Sequence, residues 1–400
     1  MITFLHQPLA TLRRGAIGVI ITTCVSTACI TTSNAQATTE PVPATMHKLA
    51  ADVQVLLPLI YQYDKPTSAA DKAVISQQIG HMLEHVSKVA GNVAPRADTY
   101  QISYQTLVQQ LQQAQLAFNN GRDRHGINLL RSATSVCATC HTQDDRAVNW
   151  LTPAAEALQD PFVAGEYFFM TRQYDRAFAA YQTHLRQQPA LVYDDRTLAA
   201  FDRLLLTSLQ IQKSPQAITD LLSEFTRGEH INGALKKDLT DWISGIGELQ
   251  KLTNISEHPK PDTVKAMATQ WLGAGKNEPM GRIFMPETRR PQIVWLRGEL
   301  YRTLINEKDH NKIADWLYWL ALSDRVLEYR FYYSLADMYL KQCMLEYTDS
   351  PIAKSCYQEY ENYIVFSYSG SGGTDIPPAI DQELEMLKAK VFKTKPAAGK

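Results

Sequence analysis

Cys137-Ala138-Thr139-Cys140-His141 places two thiols and an imidazole within five consecutive positions. Cys-x-x-Cys-His is the attachment pattern of a c-type haem. The thiols add across the two vinyl groups, and the imidazole that follows ligates the iron. On a helix Cys137 and His141 stand at i and i+4 and share a face. Cys140, one position before the imidazole, would bring the second sulfur to the ring edge. Other uses of a Cys-x-x-Cys pair need features this stretch lacks. A structural zinc site wants a second Cys or His pair nearby, and none follows. A thioredoxin-like site belongs in a βαβ setting, and these flanks read as helix. Cys137 and Cys140 are therefore expected to hold one covalent haem, with His141 as the proximal iron ligand.

Four helical patterns lie between residue 45 and the motif. The first, over 45–63, lines up Met46, Leu49, Val53, Leu56, Leu57 and Ile60 at the 3.6-residue period, with a kink expected at Pro58. The second, over 68–90, lines up Ile75, Ile79, Met82, Val86 and Val89. The third, over 98–119, carries Tyr104, Leu107, Leu111 and Phe118 and stops at Asn119-Asn120-Gly121. The fourth, over 123–141, sets Ile127, Leu130, Thr134 and Cys137 in line with His141. Short connections between four helices predict an up-down bundle.

Helix number, helix order and a motif at the end of the fourth helix make roughly residues 40–150 similar to the cytochrome c′ class of four-helix haem bundles, and the haem domain is expected over 38–150. In that class an aromatic residue and an arginine often follow the ligand histidine. Here the sequence is Thr142-Gln143-Asp144-Asp145-Arg146, so the aromatic is absent and the arginine is displaced.

The chain stays helical after residue 151 but its pattern changes. Gly165, Phe168, Ala177, Tyr181 and Pro189 fall at the G, Y, A, F and P positions of a tetratricopeptide unit. Ala217 with Leu221, and Ala314 with Tyr318, repeat the A-x-x-x-F spacing at irregular intervals. Residues 151–366 thus resemble a tetratricopeptide-like α-solenoid with one clear unit and several degenerate ones. An unrelated helical domain with one chance match is the alternative. Gly370-Ser371-Gly372-Gly373 lacks the Lys-Ser/Thr of a phosphate loop. It reads as a linker in the segment 367–400, ahead of a last helix over 378–392 and a flexible tail. The fold class expected is all-α, a four-helix haem bundle followed by a helical solenoid.

The N-terminus reads as an export signal. Arg13 and Arg14 precede an uncharged, mostly apolar stretch over 15–30, and Ala35-Gln36-Ala37 is an A-x-A cleavage site. A signal peptide over 1–37 is expected, giving a periplasmic protein. The stretch is too short and too rich in Thr and Ser for a membrane span. Ser26-Thr27-Ala28-Cys29 resembles a lipoprotein box, so a lipid anchor at Cys29 is the alternative. Of the six cysteines, Cys343 and Cys356 stand outside the leader and the motif. An exporting compartment permits a disulfide. These two lie equally far from the centre of the turn-like Thr348-Asp349-Ser350-Pro351, as facing positions on an antiparallel helix pair would. The formal charge of −1 gives no electrostatic case for nucleic acid.

The residue facing His141 across the iron would set the behaviour of the haem. An up-down bundle brings Met46, His47, His81, Met82 and His85 to the relevant end. Met46 lies on the apolar stripe, and His47 lies about 100° round toward solvent. In bundles of the resembled class the opposing residue comes from early in the first helix, which is where Met46 stands. A core methionine is the alternative. His85, about 60° from Met82 at the stripe's edge, is the second candidate. His/Met ligation suits electron transfer. The expected function is an exported monohaem electron carrier whose solenoid docks a redox or other periplasmic protein. A gas or redox sensor with an open iron follows. A peroxidase, for which His85 is the one distal candidate, and a structural haem scaffold come after it.

Overall fold

A computed structural model describes residues 42–62, 67–93, 95–143, 158–255, 257–273, 285–327 and 334–393. The expected leader and cleavage site, Cys29 and the expected 150/151 boundary lie outside the described residues. What is described is all-helical, apart from a two-residue β ladder and one isolated bridge. The helices α1 (Val42–Ile60), α2 (Ala69–Val93), α3 (Asp98–Asn119) and α4 (Asp123–His141) pack as sequential neighbours, and α4 also returns to α1.

Local chemistry fixes their ends. Ser68 opens α2 with a reciprocal cap: the Asp71 amide donates to its hydroxyl at 3.1 Å, and its own amide and hydroxyl donate to the Asp71 carboxylate. Gly121 closes α3 in a left-handed conformation (φ 69°), and the Arg122 amide reaches back to the Ala117 carbonyl at 2.8 Å. Pro58 sits inside α1, which runs on to Ile60. α2 buries Ile75, Ile79, Met82, Val86 and Val89, the expected stripe.

Two faces differ from expectation. On α1, Thr45, Ala50 and Asp52 are buried, while Met46 and Leu49 are half-buried. On α3, half of the buried face is polar, with Thr99, Ser103, Thr106 and Gln110 beside Ile102, Leu111, Ala114 and Ala117, whereas Tyr104, Leu107 and Phe118 are half-buried. At the Thr99–Ser103 end of this face the partner is Gln143, which is buried after the end of α4. The Thr99 hydroxyl donates to its Oε1 at 2.8 Å, and its Nε2 donates to Ser103 Oγ at 3.2 Å. A buried amide needs such partners, so a face that looks solvated by composition is buried.

The chain continues through α5 (Pro161–Met170), α6 (Tyr174–Gln187) and α7 (Asp195–Leu206), which runs into a π-helical turn, Thr207–Ile211. Then follow α8 (Pro215–Arg227), α9 (Gly233–Leu252), α10 (Pro261–Leu272), α11 (Arg290–Asn306), α12 (His310–Leu327), α13 (Ala336–Glu346) and α14 (Ala353–Ser367). The α5–α6 pair behaves as a helical hairpin. Gly165 is required there, because a Cβ would stand 2.6 Å from the Tyr181 ring, and Ala177 and Tyr181 are fully buried. In α8 the correspondence lapses: Ala217 is exposed and Ile218 takes the buried place. The loops after α6 and α8 are tied together, with the Leu191 amide donating to the His230 carbonyl and the Asn232 amide to the Leu191 carbonyl, both at 2.8 Å.

α5 lies against both α1 and α4. Glu166 joins the layers, accepting from Tyr61 at 2.9 Å, Tyr181 at 2.6 Å and Arg203 at 3.3 Å. The far end of the chain also returns. α13 packs on α3, and Tyr347 and Gln342 donate to the Asp98 carboxylate at 2.6 Å and 3.2 Å.

Cys343 on α13 and Cys356 on α14 are fully buried and joined, with sulfurs 2.13 Å apart. The glycine-rich linker is more ordered than a simple tether: β1 (Ser369–Gly370) pairs antiparallel with β2 (Gly373–Thr374), and Gly373 supplies a positive φ of 109°. α15 (Pro378–Phe392) follows where a last helix was expected. Among the described residues, no helix is long and apolar enough to cross a membrane.

Candidate functional site

Helix α4 delivers the motif to the end of the first four helices. Gly126 lets α4 approach α3, since a Cβ there would stand 2.6 Å from the Phe118 ring. Leu130, Ala133 and Thr134 are buried above the motif. Further down the same side of the helix, Cys137, Cys140 and His141 are only half-buried. Burial around its sulfur pushes the Cys137 thiol up to about 12, and the neighbouring Cys140 adds to the shift. It is therefore protonated at neutral pH. A reactive redox or nucleophilic cysteine has a depressed pKa instead, so Cys137 is not tuned for thiolate chemistry.

Residues 141–142 are held at three points. The His141 Nδ1 donates to the carbonyl of Met170, the last residue of α5. A carbonyl only accepts, so this contact puts the ring proton on Nδ1 and the lone pair on Nε2. That tautomer is the metal-ligating one, and a backbone carbonyl on the other nitrogen is the usual device for orienting it. The Tyr174 hydroxyl donates to the His141 carbonyl at 3.1 Å. The next carbonyl, that of Thr142, accepts from Gln210 at 2.7 Å. None of Met170, Tyr174 and Gln210 is singled out by sequence reasoning. A backbone acceptor carries no side-chain signature, and the other two lie 33 and 68 residues from their acceptors.

The distal candidates occupy different settings. Arg131 on α4 donates to the Ile60 carbonyl of α1 at 2.6 Å. Counting about 1.5 Å per residue from there along both antiparallel helices sets His141 level with about Ala50, and Met46 about 6 Å further on. Met46 is half-buried, on the Ala50, Val53 and Leu57 side of α1; its neighbour Thr45 is fully buried, with no hydrogen-bond partner for its hydroxyl among the described residues. His47 is exposed and Met82 is core. His85 places its Nδ1 2.8 Å from the Asp52 carboxylate, with His81 3.7 Å from the other oxygen, a contact that orients the ring as the Met170 carbonyl orients that of His141. Burial holds the Asp52 carboxyl above its ordinary range, although both histidines pull it down.

Among the described residues, no group of three or more His, Cys, Asp and Glu side chains is arranged to hold a bare metal ion. A haem iron takes one or two ligands from the protein, so the donor set at the end of α4 matches that demand and not that of a bare ion. A surface pocket of about 520 Å³, lined by Pro215 and residues 250–255, contains none of these side chains. Compared with known proteins, the chain matches no family model, no curated sequence and no solved structure.

Proposed function

We propose that the protein is an exported monohaem c-type cytochrome that carries single electrons to or from a protein partner. The observation that carries this reading is the His141 Nδ1–Met170 carbonyl contact, which sets the imidazole in its ligating tautomer one residue after a Cys-x-x-Cys pair. Cys137 and Cys140 would make the two thioethers, and His141 would ligate the iron. When bound, the haem supplies a one-electron couple whose potential depends on its axial ligands and burial. The chain's own part is to fix the ligand. Met170, Tyr174 and Gln210 hold residues 141–142, and Gln143 locks the end of α4 to α3.

In this reading α1–α4 form the haem bundle and α5–α14 a tetratricopeptide-like solenoid that docks the partner. Cleavage after Ala37 delivers the protein to the periplasm, or a lipid at Cys29 anchors it there. Met46 covers the iron opposite His141. A sensor with an open sixth position is the competing reading.

The test is expression with c-type maturation, followed by mass measurement under denaturing conditions. The full chain is expected to carry one haem, and Cys137→Ala/Cys140→Ala none. Covalent haem retained in that double variant overturns the attachment. Spectra then separate the functions. A low-spin ferrous protein indifferent to CO, which becomes CO-reactive in Met46→Ala, supports the carrier. CO binding by the unaltered protein supports the sensor instead.

A further inference from the structure

We propose that Gln210 is a positioning residue for the haem ligand, linking the packing of α7 and α11 to the orientation of His141. This rests on the haem attachment proposed above. Three polar side chains, each seven positions apart along α7 and its π-helical extension, point at the layer below. Arg196 reaches Asp160, the cap of α5, and Arg203 reaches Glu166 within α5. Gln210 passes beyond α5 and donates to the carbonyl of Thr142, the residue after His141. The first two contacts are ion pairs that fasten hairpin to hairpin. The third ends on the haem motif.

The seat of Gln210 is built for it. The side chain is 4% exposed and lies against Gly298 of α11, where a Cβ would stand 2.5 Å from Gln210 Cγ. The π turn is visible in the Gln212 amide, which reaches the Thr207 carbonyl at 2.8 Å, five residues back. Such turns insert a residue and re-aim the side chains beyond it, and they concentrate at functional positions. Thr142 is itself buried, and its hydroxyl turns back to the Ala138 carbonyl at 2.9 Å. Gln210 is thus a donor from another layer to the backbone that carries the ligand. Met170 and Tyr174 hold the same residue pair from α5 and α6. Displacement of α7 against α5, as when a partner docks, is transmitted to His141 through these contacts.

The test uses the full chain and two substitutions in different helices. Gln210→Met keeps length and removes the donor. Gly298→Ala leaves the donor but pushes its side chain aside. Each is expected to raise hydrogen exchange at the Thr142 and Gln143 amides about tenfold, as loss of one buried hydrogen bond implies, with α13 and α14 unchanged. Each is also expected to shift the midpoint potential of the loaded protein in the same direction, and the double variant to shift it no further than either single. Unchanged exchange, or faster exchange with an unchanged potential, overturns the proposal. A full chain that never acquires haem defeats the haem reading instead, while the exchange result still decides whether Gln210 holds the motif. Should Gly298→Ala fail to fold, Gln210→Asn, which withdraws the amide, gives the same two readouts.

Discussion

The two cysteine pairs of this chain sit in opposite environments. Cys137 and Cys140 lie three residues apart on one helix, half-buried beside a histidine whose tautomer is fixed from another helix. Cys343 and Cys356 lie on two helices, fully buried and joined to each other. In the first pair burial raises the Cys137 thiol and leaves it protonated. In the second, facing positions across a turn let the sulfurs meet. Spacing within an element and spacing across a turn therefore assign the same residue type to different work.

Exchanging damage between the pairs gives the largest expected effect. Cys137→Ala/Cys140→Ala is expected to abolish covalent haem while non-reducing mass analysis still finds the Cys343–Cys356 bond. Next comes Cys343→Ala/Cys356→Ala. Opening a loop with a sequence separation of 13 residues is expected to cost about 3 kcal/mol, read by denaturant titration, with haem content unchanged. Haem loss in that variant would show that the two pairs are not independent. Smaller again is Gly165→Ala. Its Cβ meets the Tyr181 ring, an overpacking cost of about 1–3 kcal/mol. Because α5 also carries the acceptor for His141, this variant is expected to broaden the His141 signals while leaving those near the disulfide unmoved.

The smallest effect is a pH dependence. His184, on α6, is buried against the Phe162 ring, with centroids 5.3 Å apart. Burial, helped by Arg196, lowers its pKa below the ordinary histidine value. The unfolded chain then binds the proton more readily than the folded one. The contribution is complete above the ordinary histidine range and is lost as pH falls through it toward the lowered folded value. His184→Phe is expected to flatten the stability profile on the acid side of neutrality. An unchanged slope between pH 7 and 5 would refute this.

Much of the first four helices is legible in the residues. The α2 stripe, the stop of α3 at Gly121 and, further along the chain, the disulfide follow from periodicity, capping chemistry and symmetry about a turn. The burial of Thr99 and Ser103 on α3 is not legible, because it depends on Gln143 arriving from beyond the end of α4. The positions of Met170, Tyr174 and Gln210 are hidden for the same reason: Met170 offers its own carbonyl to the His141 ring, and Tyr174 and Gln210 donate to carbonyls 33 and 68 residues away. At the candidate site the reactive groups are local and readable, whereas the groups that aim them are set by tertiary packing.

The bond between Tyr347 and Asp98 spans 249 residues. Contacts of that range are made late, since the intervening chain has to surrender its freedom before they return anything. Helices α4 to α12 therefore form a loop that closes only when α13 reaches α3. Weakening that clasp, for example with Asp98→Ala, is expected to slow the last phase of folding and to speed the first step of unfolding. Cys137, Cys140 and His141 lie inside the loop, so under the proposed haem attachment their reaction and the closure of the chain would compete in time.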